Sequence, residues 1–94
     1  MSGDETTMID AATAEIYSFV ESYLERRNLS LQVGERAGKS WQKLRTPGGV
    51  IVAEGSGEAG QPEPELLLKL VLLLEGKIRD GSVWADSDGK VLEP

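Results

Sequence analysis

The side chains that carry out most enzyme chemistry are scarce in this chain. None of its 94 residues is histidine or cysteine, which excludes imidazole acid–base catalysis, thiolate nucleophiles, disulfides and Cys/His zinc sites. A pair of carboxylates for acid–base work would have to come from a site such as Asp86 and Asp88, which fall in a predicted exposed turn where nothing would raise a pKa. We therefore expect a protein that is not an enzyme and that holds no metal or cofactor.

Two glycine-containing segments resemble phosphate-binding motifs. Residues 33–40 end in Gly-Lys-Ser, as a P-loop does, but the first glycine is one position too close and Pro47 stops the helix that must follow. Residues 55–60 match the pattern Gly-x-Gly-x-x-Gly, but Pro62 stands where the helix of a dinucleotide site should already run. Neither segment therefore predicts a nucleotide site.

Charge is distributed unevenly along the chain. Sixteen acidic and ten basic residues give a net charge of −6. Residues 26–45 hold six basic residues against Glu35 alone, a balance of +5, which leaves −11 for the rest of the chain. Such a segment can bind anions or nucleic acid, with an aromatic ring stacking on a base. The residues suited to that role are Arg36, Lys39, Trp41, Lys43 and Arg45.

The same basic segment has a second interpretation, in which the cations form a solvated face or pair with the protein's own carboxylates. We favour this interpretation, because long-range repulsion from the acidic remainder would oppose a polyanion at low salt.

One amphipathic helix is predicted from Met8 to Arg27. Its apolar residues recur at intervals of three and four, which places them on one face. These residues are Ile9, Ala12, Ile16, Phe19, Val20 and Tyr23. Asn28 suits a left-handed stop after the helix, and residues 1–7 are expected to be disordered.

Three short strands are predicted next, as an antiparallel meander. Residues 29–33 alternate between apolar and polar, as a half-buried strand does. Residues 34–39 are expected to form a loop. The segment 40–45 has apolar residues three apart, as in a helix, but is too short to be a stable one and is interpreted as a strand. Residues 50–53 are mostly β-branched and predict a buried strand.

The remaining chain predicts a second helix and a hairpin. Residues 55–63 are expected to form a flexible linker, followed by a helix over 63–80 with Gly81 as its stop. Two short apolar segments, 83–85 and 90–92, flank a turn and predict a C-terminal β-hairpin.

The second helix has more apolar surface than one core face requires. One face is able to cover a small sheet and carries Leu66, Leu67, Leu70, Val71, Leu73, Leu74 and Ile78. Leu68 and Leu72 are four residues apart and point the other way. They form either an interface with another chain or a stripe that the first helix or the hairpin covers, and the sequence leaves both alternatives open.

These patterns predict a single α+β domain over residues 1–94. We expect a small acidic interaction protein, such as an accessory subunit, adaptor or inhibitor, that forms a homodimer through the second helix. Its interface residues would be Leu68, Leu72 and Trp84. The alternative function is an anion- or nucleic-acid-binding module that uses residues 26–45. No secretory signal or membrane span is visible in the sequence, so we expect a cytoplasmic protein.

Overall fold

The computed structural model describes residues 3–58 and 60–93, with side chains from residue 11 onward. It is an α+β structure, as predicted. The elements in chain order are α1 (Gly3–Arg27), β1 (Ser30–Arg36), β2 (Lys39–Arg45), β3 (Ile51–Glu58) and α2 (Glu63–Arg79). The three strands form one antiparallel sheet in the order β1-β2-β3, which confirms the predicted meander.

A two-residue turn sets the register of β1 and β2. Ala37 and Gly38 both have positive φ angles, of 54° and 75°, as a type I′ hairpin turn requires. The turn pairs Arg36 with Lys39, and the pairing continues to Ser30 and Arg45 at the far end. The predicted loop over 34–39 is therefore wrong, because only the two turn residues lie outside the strands.

Strand β3 extends further than its apolar residues indicated. It continues through Glu58, so the predicted linker over 55–63 is reduced to the connection between Glu58 and Glu63. Gly55 and Gly57 lie beneath α2, and a Cβ added at Gly57 would collide with the side chain of Leu66. Gly57 allows the helix to approach the sheet closely, so it indicates packing rather than flexibility.

The C-terminal ends of both helices follow the sequence closely. Asn28 has a φ of 59° directly after α1, and Gly81 has a φ of 85° after α2, which confirms both predicted stops. Helix α1 begins at Gly3, so residues 3–7 are helical and not disordered as predicted. Met1 and Ser2 lie outside the described residues.

The core lies between the helices and one face of the sheet. Its buried side chains are Val20, Tyr23, Leu29, Leu44, Val52, Ala53, Leu67, Leu70, Val71, Leu74 and Val91. Ala12, Phe19 and Leu73, which were predicted to face the core, are exposed, and the side chain of Ile9 lies outside the described ones. The 25 residues of α1 make a helix about 37 Å long, whereas a seven-residue strand spans only about 23 Å. The sheet is therefore too short to run along the whole length of α1.

Arg27, the last residue of α1, joins that helix to α2 and to the C-terminal segment. Its Nη2 donates to both carboxylate oxygens of Glu75 at 2.7 and 3.0 Å, and its Nη1 donates to the carbonyl of Gly89 at 2.9 Å. The Arg27 carbonyl in turn accepts from the Val91 N–H at 2.9 Å. Three separate parts of the chain are thus tied to one residue.

The C-terminal segment contains less strand than predicted. The turn is present, with Asp86 Oδ1 accepting from the N–H groups of Asp88 and Lys90, but the pairing is limited to one bridge between Ala85 and Val91. The Val91 N–H bonds to the Arg27 carbonyl and the Leu92 N–H to the Trp84 carbonyl at 2.8 Å, so the C-terminal segment is held both by α1 and by a short backbone contact with the residues before its turn.

The surroundings of the ion pair between Arg27 and Glu75 shift the pKa values of both residues and of the nearby Tyr23. Burial acts to raise the pKa of Glu75, but the hydrogen bonds and charge of Arg27 outweigh it and the pKa is lowered. Burial also acts to lower the pKa of Arg27, and bonding to Glu75 reverses this, so that the pKa is raised. Burial, together with the Glu75 charge, raises the pKa of Tyr23 to about 12.

We predict that Arg27→Lys lowers the free energy of unfolding by about 1.5–3 kcal/mol, the usual contribution of a hydrogen bond to a charged group. A lysine keeps the charge but cannot reach Glu75 and Gly89 with two nitrogen atoms. Urea denaturation measures the change. Arg79→Lys, at an exposed position of α2, is the control and should change stability by less than about 0.5 kcal/mol. Equal losses in the two variants would contradict the role of Arg27.

The same ion pair predicts a pH dependence. Because the folded-state pKa of Glu75 lies below its ordinary value of 4.5, the unfolded chain binds more protons and stability rises with pH. The stabilisation that ionised Glu75 contributes is complete when the pH is above the ordinary pKa, and it is lost as the pH falls through the lowered pKa of the folded state. The stability difference between wild type and Glu75→Gln should therefore shrink on acidification. The same comparison with Glu21→Gln, an exposed position on α1, controls for general charge effects, and a difference that grows at low pH would contradict the assignment.

Candidate interaction surfaces

The five residues predicted to bind an anion converge on one face of the sheet. Lys39, Trp41, Lys43 and Arg45 occupy alternate positions of β2, and alternate residues of a strand share a face. Arg36 is paired with Lys39 across the turn and lies on the same face. We call these five residues the basic sheet face.

Both helices pack on the opposite side of the sheet from the basic sheet face. Leu44, which alternates with the cations along β2, is buried in the core with residues of α1 and α2. Leu66 and Leu70 of α2 lie over Gly57 and Gly55 of β3. Within residues 3–58 and 60–93, no helix or strand covers the basic sheet face.

Trp41 lies across the backbone of β1. A Cβ built on Gly34, its partner in the register, would overlap the indole ring, so the ring rests directly on the glycine. The Nζ atom of Lys43 lies 5.0 Å from the centre of the ring, within the range of a cation–π interaction. Glycine at position 34 is therefore what allows Trp41 to lie close to the strand.

The cations of the basic sheet face are only partly neutralised. Lys39 Nζ lies 3.4 Å from Glu58 Oε1, and both side chains are largely exposed. Glu54 is the register partner of Lys43. Arg45 donates to neutral acceptors, at 2.7 Å to the Gln32 side chain and 3.2 Å to the Gly49 carbonyl. Four cations therefore face two carboxylates.

The predicted interface residues Leu68 and Leu72 differ in exposure. Leu72 is 71 % exposed, whereas Leu68 is half-buried. Leu73, one residue further on, is exposed as well. We call Leu68, Leu72 and Leu73 the outer α2 surface.

Trp84 lies on a different surface. The residue is 70 % exposed, and its Nε1 donates to the Gly81 carbonyl at 2.9 Å. The residue borders a cavity of about 520 Å³ whose apolar wall is formed by Val50, Ile51, Val52, Val83 and Leu92. Lys77 is the α2 residue that lines this cavity, and neither Leu68 nor Leu72 does. We call it the C-terminal groove, and the predicted interface residues are thus divided between two surfaces.

Sequence reasoning missed the wall of the C-terminal groove. Val50 and Ile51 were predicted to be buried in a strand, but both are exposed, as is Leu92. The β-branched run correctly indicated a strand, yet β3 is the last strand of the sheet. Position at a sheet edge depends on the rest of the fold, so no local pattern signalled this exposure.

The two phosphate-motif segments are also explained by the fold. Gly38 lies in the hairpin turn, and the lysine and serine after it begin β2 rather than a helix. Most of the Gly-x-Gly-x-x-Gly segment belongs to β3. No group of three or more acidic residues among the described part of the chain could hold a metal ion, and neither described helix is long and apolar enough to cross a membrane.

No known protein family, curated protein or solved structure matches this chain. Its function has to be inferred from the three surfaces themselves. These are the basic sheet face, the outer α2 surface and the C-terminal groove.

We predict that Gly34→Ala displaces Trp41 and lowers the free energy of unfolding by about 1–3 kcal/mol, the usual cost of overpacking. The added methyl group would occupy space that the indole now fills. Urea denaturation and the tryptophan emission spectrum report both effects. Gly60→Ala is the control, because a Cβ at that position meets nothing within 4 Å. Unchanged emission and stability in Gly34→Ala would contradict the placement of Trp41.

Proposed function

We propose that this chain is a small acidic interaction protein without enzymatic activity, acting as an accessory subunit, adaptor or inhibitor and forming a homodimer through α2. The observation that carries the proposal is the exposure of Leu72, at 71 %, beside the exposed Leu73. Exposed apolar clusters on small proteins commonly mark contact sites. Each leucine that becomes fully buried contributes about 1.5–3 kcal/mol.

Gly76 supports α2 as the dimer contact. It lies four residues after Leu72 and three after Leu73, so all three share one side of the helix. A Cβ added at Gly76 would meet nothing within 4 Å among the described residues, so that part of the chain gives no packing reason for a glycine there. A glycine in a helix costs about 1 kcal/mol relative to alanine. A helix of a second copy that packs closely against α2 at this point would explain why the position is a glycine.

The C-terminal groove supports the broader assignment to interaction proteins. Tryptophan is enriched among residues that dominate binding energy, and the Trp84 N–H is already bonded within its own chain. A partner could therefore bury the ring without leaving that donor unsatisfied. The groove would serve a partner protein, while the outer α2 surface would join two copies.

We predict that sedimentation equilibrium of the wild-type chain gives twice its mass of 10.2 kDa, and that Leu72→Ser weakens the dimer at least about a hundredfold. A two-fold interface contains Leu72 from both copies, so one substitution removes two leucine side chains from the interface. Val33→Ser, at an exposed apolar position of β1, is the matched control and should remain dimeric. A wild-type chain that sediments at the monomer mass over a wide concentration range would overturn the proposal.

Gly76→Ala distinguishes a dimer contact at the outer α2 surface from an apolar surface that is exposed without a partner. In a monomer the alanine should stabilise α2 without any other effect. In the proposed dimer the added methyl group separates the helices, so dissociation should become easier while the fold becomes more stable. A variant that is more stable and equally dimeric would place the contact elsewhere on the chain.

A further inference from the structure

The basic sheet face is built in a way that the proposed dimer does not require. It lies on the opposite side of the sheet from α2 and combines four cations with one aromatic ring. We propose that this face binds single-stranded nucleic acid, with Trp41 stacking on a base and the neighbouring cations contacting phosphates. The cations are Arg36, Lys39, Lys43 and Arg45.

The placement of the cations favours an extended polyanion. Alternate residues of a strand are about 6.8 Å apart, so Lys43 and Arg45 follow each other along β2 at a spacing comparable with that of phosphates in an extended single strand. Arg36 and Lys39 are direct register partners. Like charges directly opposite each other destabilise a sheet, and a bound phosphate between them would relieve that repulsion.

Trp41 provides the stacking platform. Its ring rests on Gly34, which leaves no side chain of β1 between the indole and the strand backbone. Lys43 Nζ lies 5.0 Å from the centre of the ring. A stacked base would take the place of this ammonium group, and Lys43 would then be free to contact a phosphate.

The charge balance favours a single strand over a duplex. Four cations and the carboxylates of Glu54 and Glu58 give the face a charge of only +2, on a chain of −6. Phosphate contacts alone therefore provide little affinity. Base stacking adds affinity that does not depend on charge, and it requires an unpaired base, which a duplex does not offer to a flat sheet.

The carboxylates of β3 compete with the ligand. Glu58 lies 3.4 Å from Lys39, and Glu54 is the register partner of Lys43. A phosphate that binds either lysine must displace or repel a carboxylate. Neutralising both should therefore strengthen binding, whereas a face that merely forms internal ion pairs would gain no ligand affinity.

The test titrates a thymidine oligonucleotide, and a duplex of the same length, into Trp84→Phe protein, so that Trp41 is the single tryptophan. We expect the single strand to quench Trp41 emission. The logarithm of the association constant should fall linearly with the logarithm of the salt concentration, with a slope of about −3, because each of four phosphate contacts contributes about 0.7. Trp41→Ala in the wild-type background, measured by anisotropy of a labelled oligonucleotide, should bind about tenfold more weakly or worse. Trp84→Ala should bind as wild type does.

The charge variants make the proposal falsifiable even if Trp41→Ala folds poorly. Glu54→Gln with Glu58→Gln should bind more tightly, and Lys43→Gln more weakly with a shallower salt slope. Lys90→Gln, at an exposed position of the C-terminal turn, is the control and should show no change beyond the effect of net charge. Absence of binding at about 50 mM salt, equal binding of duplex and single strand, or equal effects of Lys43→Gln and Lys90→Gln would each overturn the proposal.

Discussion

The contact between Arg27 and Glu75 is the interaction on which the arrangement of the remaining parts depends. It joins the end of α1 to α2, and the same guanidinium holds the C-terminal turn through Gly89. The two side chains are 14 % and 30 % exposed, so part of their electrostatic attraction offsets the free-energy cost of removing both charges from water. Arg27 Nε and the Tyr23 hydroxyl are buried without hydrogen-bond partners among the described residues. Such a cluster specifies one arrangement of the two helices more than it adds net stability.

Placing both helices on one side of a three-stranded sheet has a consequence for charge. The inward positions of β2 must be compatible with a core, and Leu44 occupies one of them. The outward positions then alternate with them and receive Lys39, Lys43 and Arg45. Part of the charge asymmetry along the sequence therefore becomes a difference between two sides of a layer, with a cationic sheet face on one side and, on the other, helix α1 with its six acidic and two basic residues.

Local signals were enough to locate both helices and all three strands, because periodicity and stop residues such as Asn28 act over a few positions. The main errors share one cause. Gly34 and Gly57 were interpreted as loop residues, yet each lies in a strand where another side chain occupies the space above it, from Trp41 and Leu66 respectively. The partner is seven or more residues away in sequence, so the reason for each glycine is visible only after folding. The candidate residues of the basic sheet face were identified from residue type alone, whereas their common orientation could be assigned only from the pairing of the strands.

The outer α2 surface and the basic sheet face do not compete for space. Helix α2 covers the inner side of β3, so a contact through Leu72 leaves the outward side of β2 open in each copy. A two-fold dimer through α2 would present two cationic faces directed away from the contact. Two such faces on one particle raise the effective concentration of the second site for any strand long enough to reach both. A face with a charge of only +2 would gain more from pairing than a strongly basic one, because each copy alone would bind a nucleic acid weakly. The small size of the chain and its modest local charge are thus compatible with binding that depends on assembly.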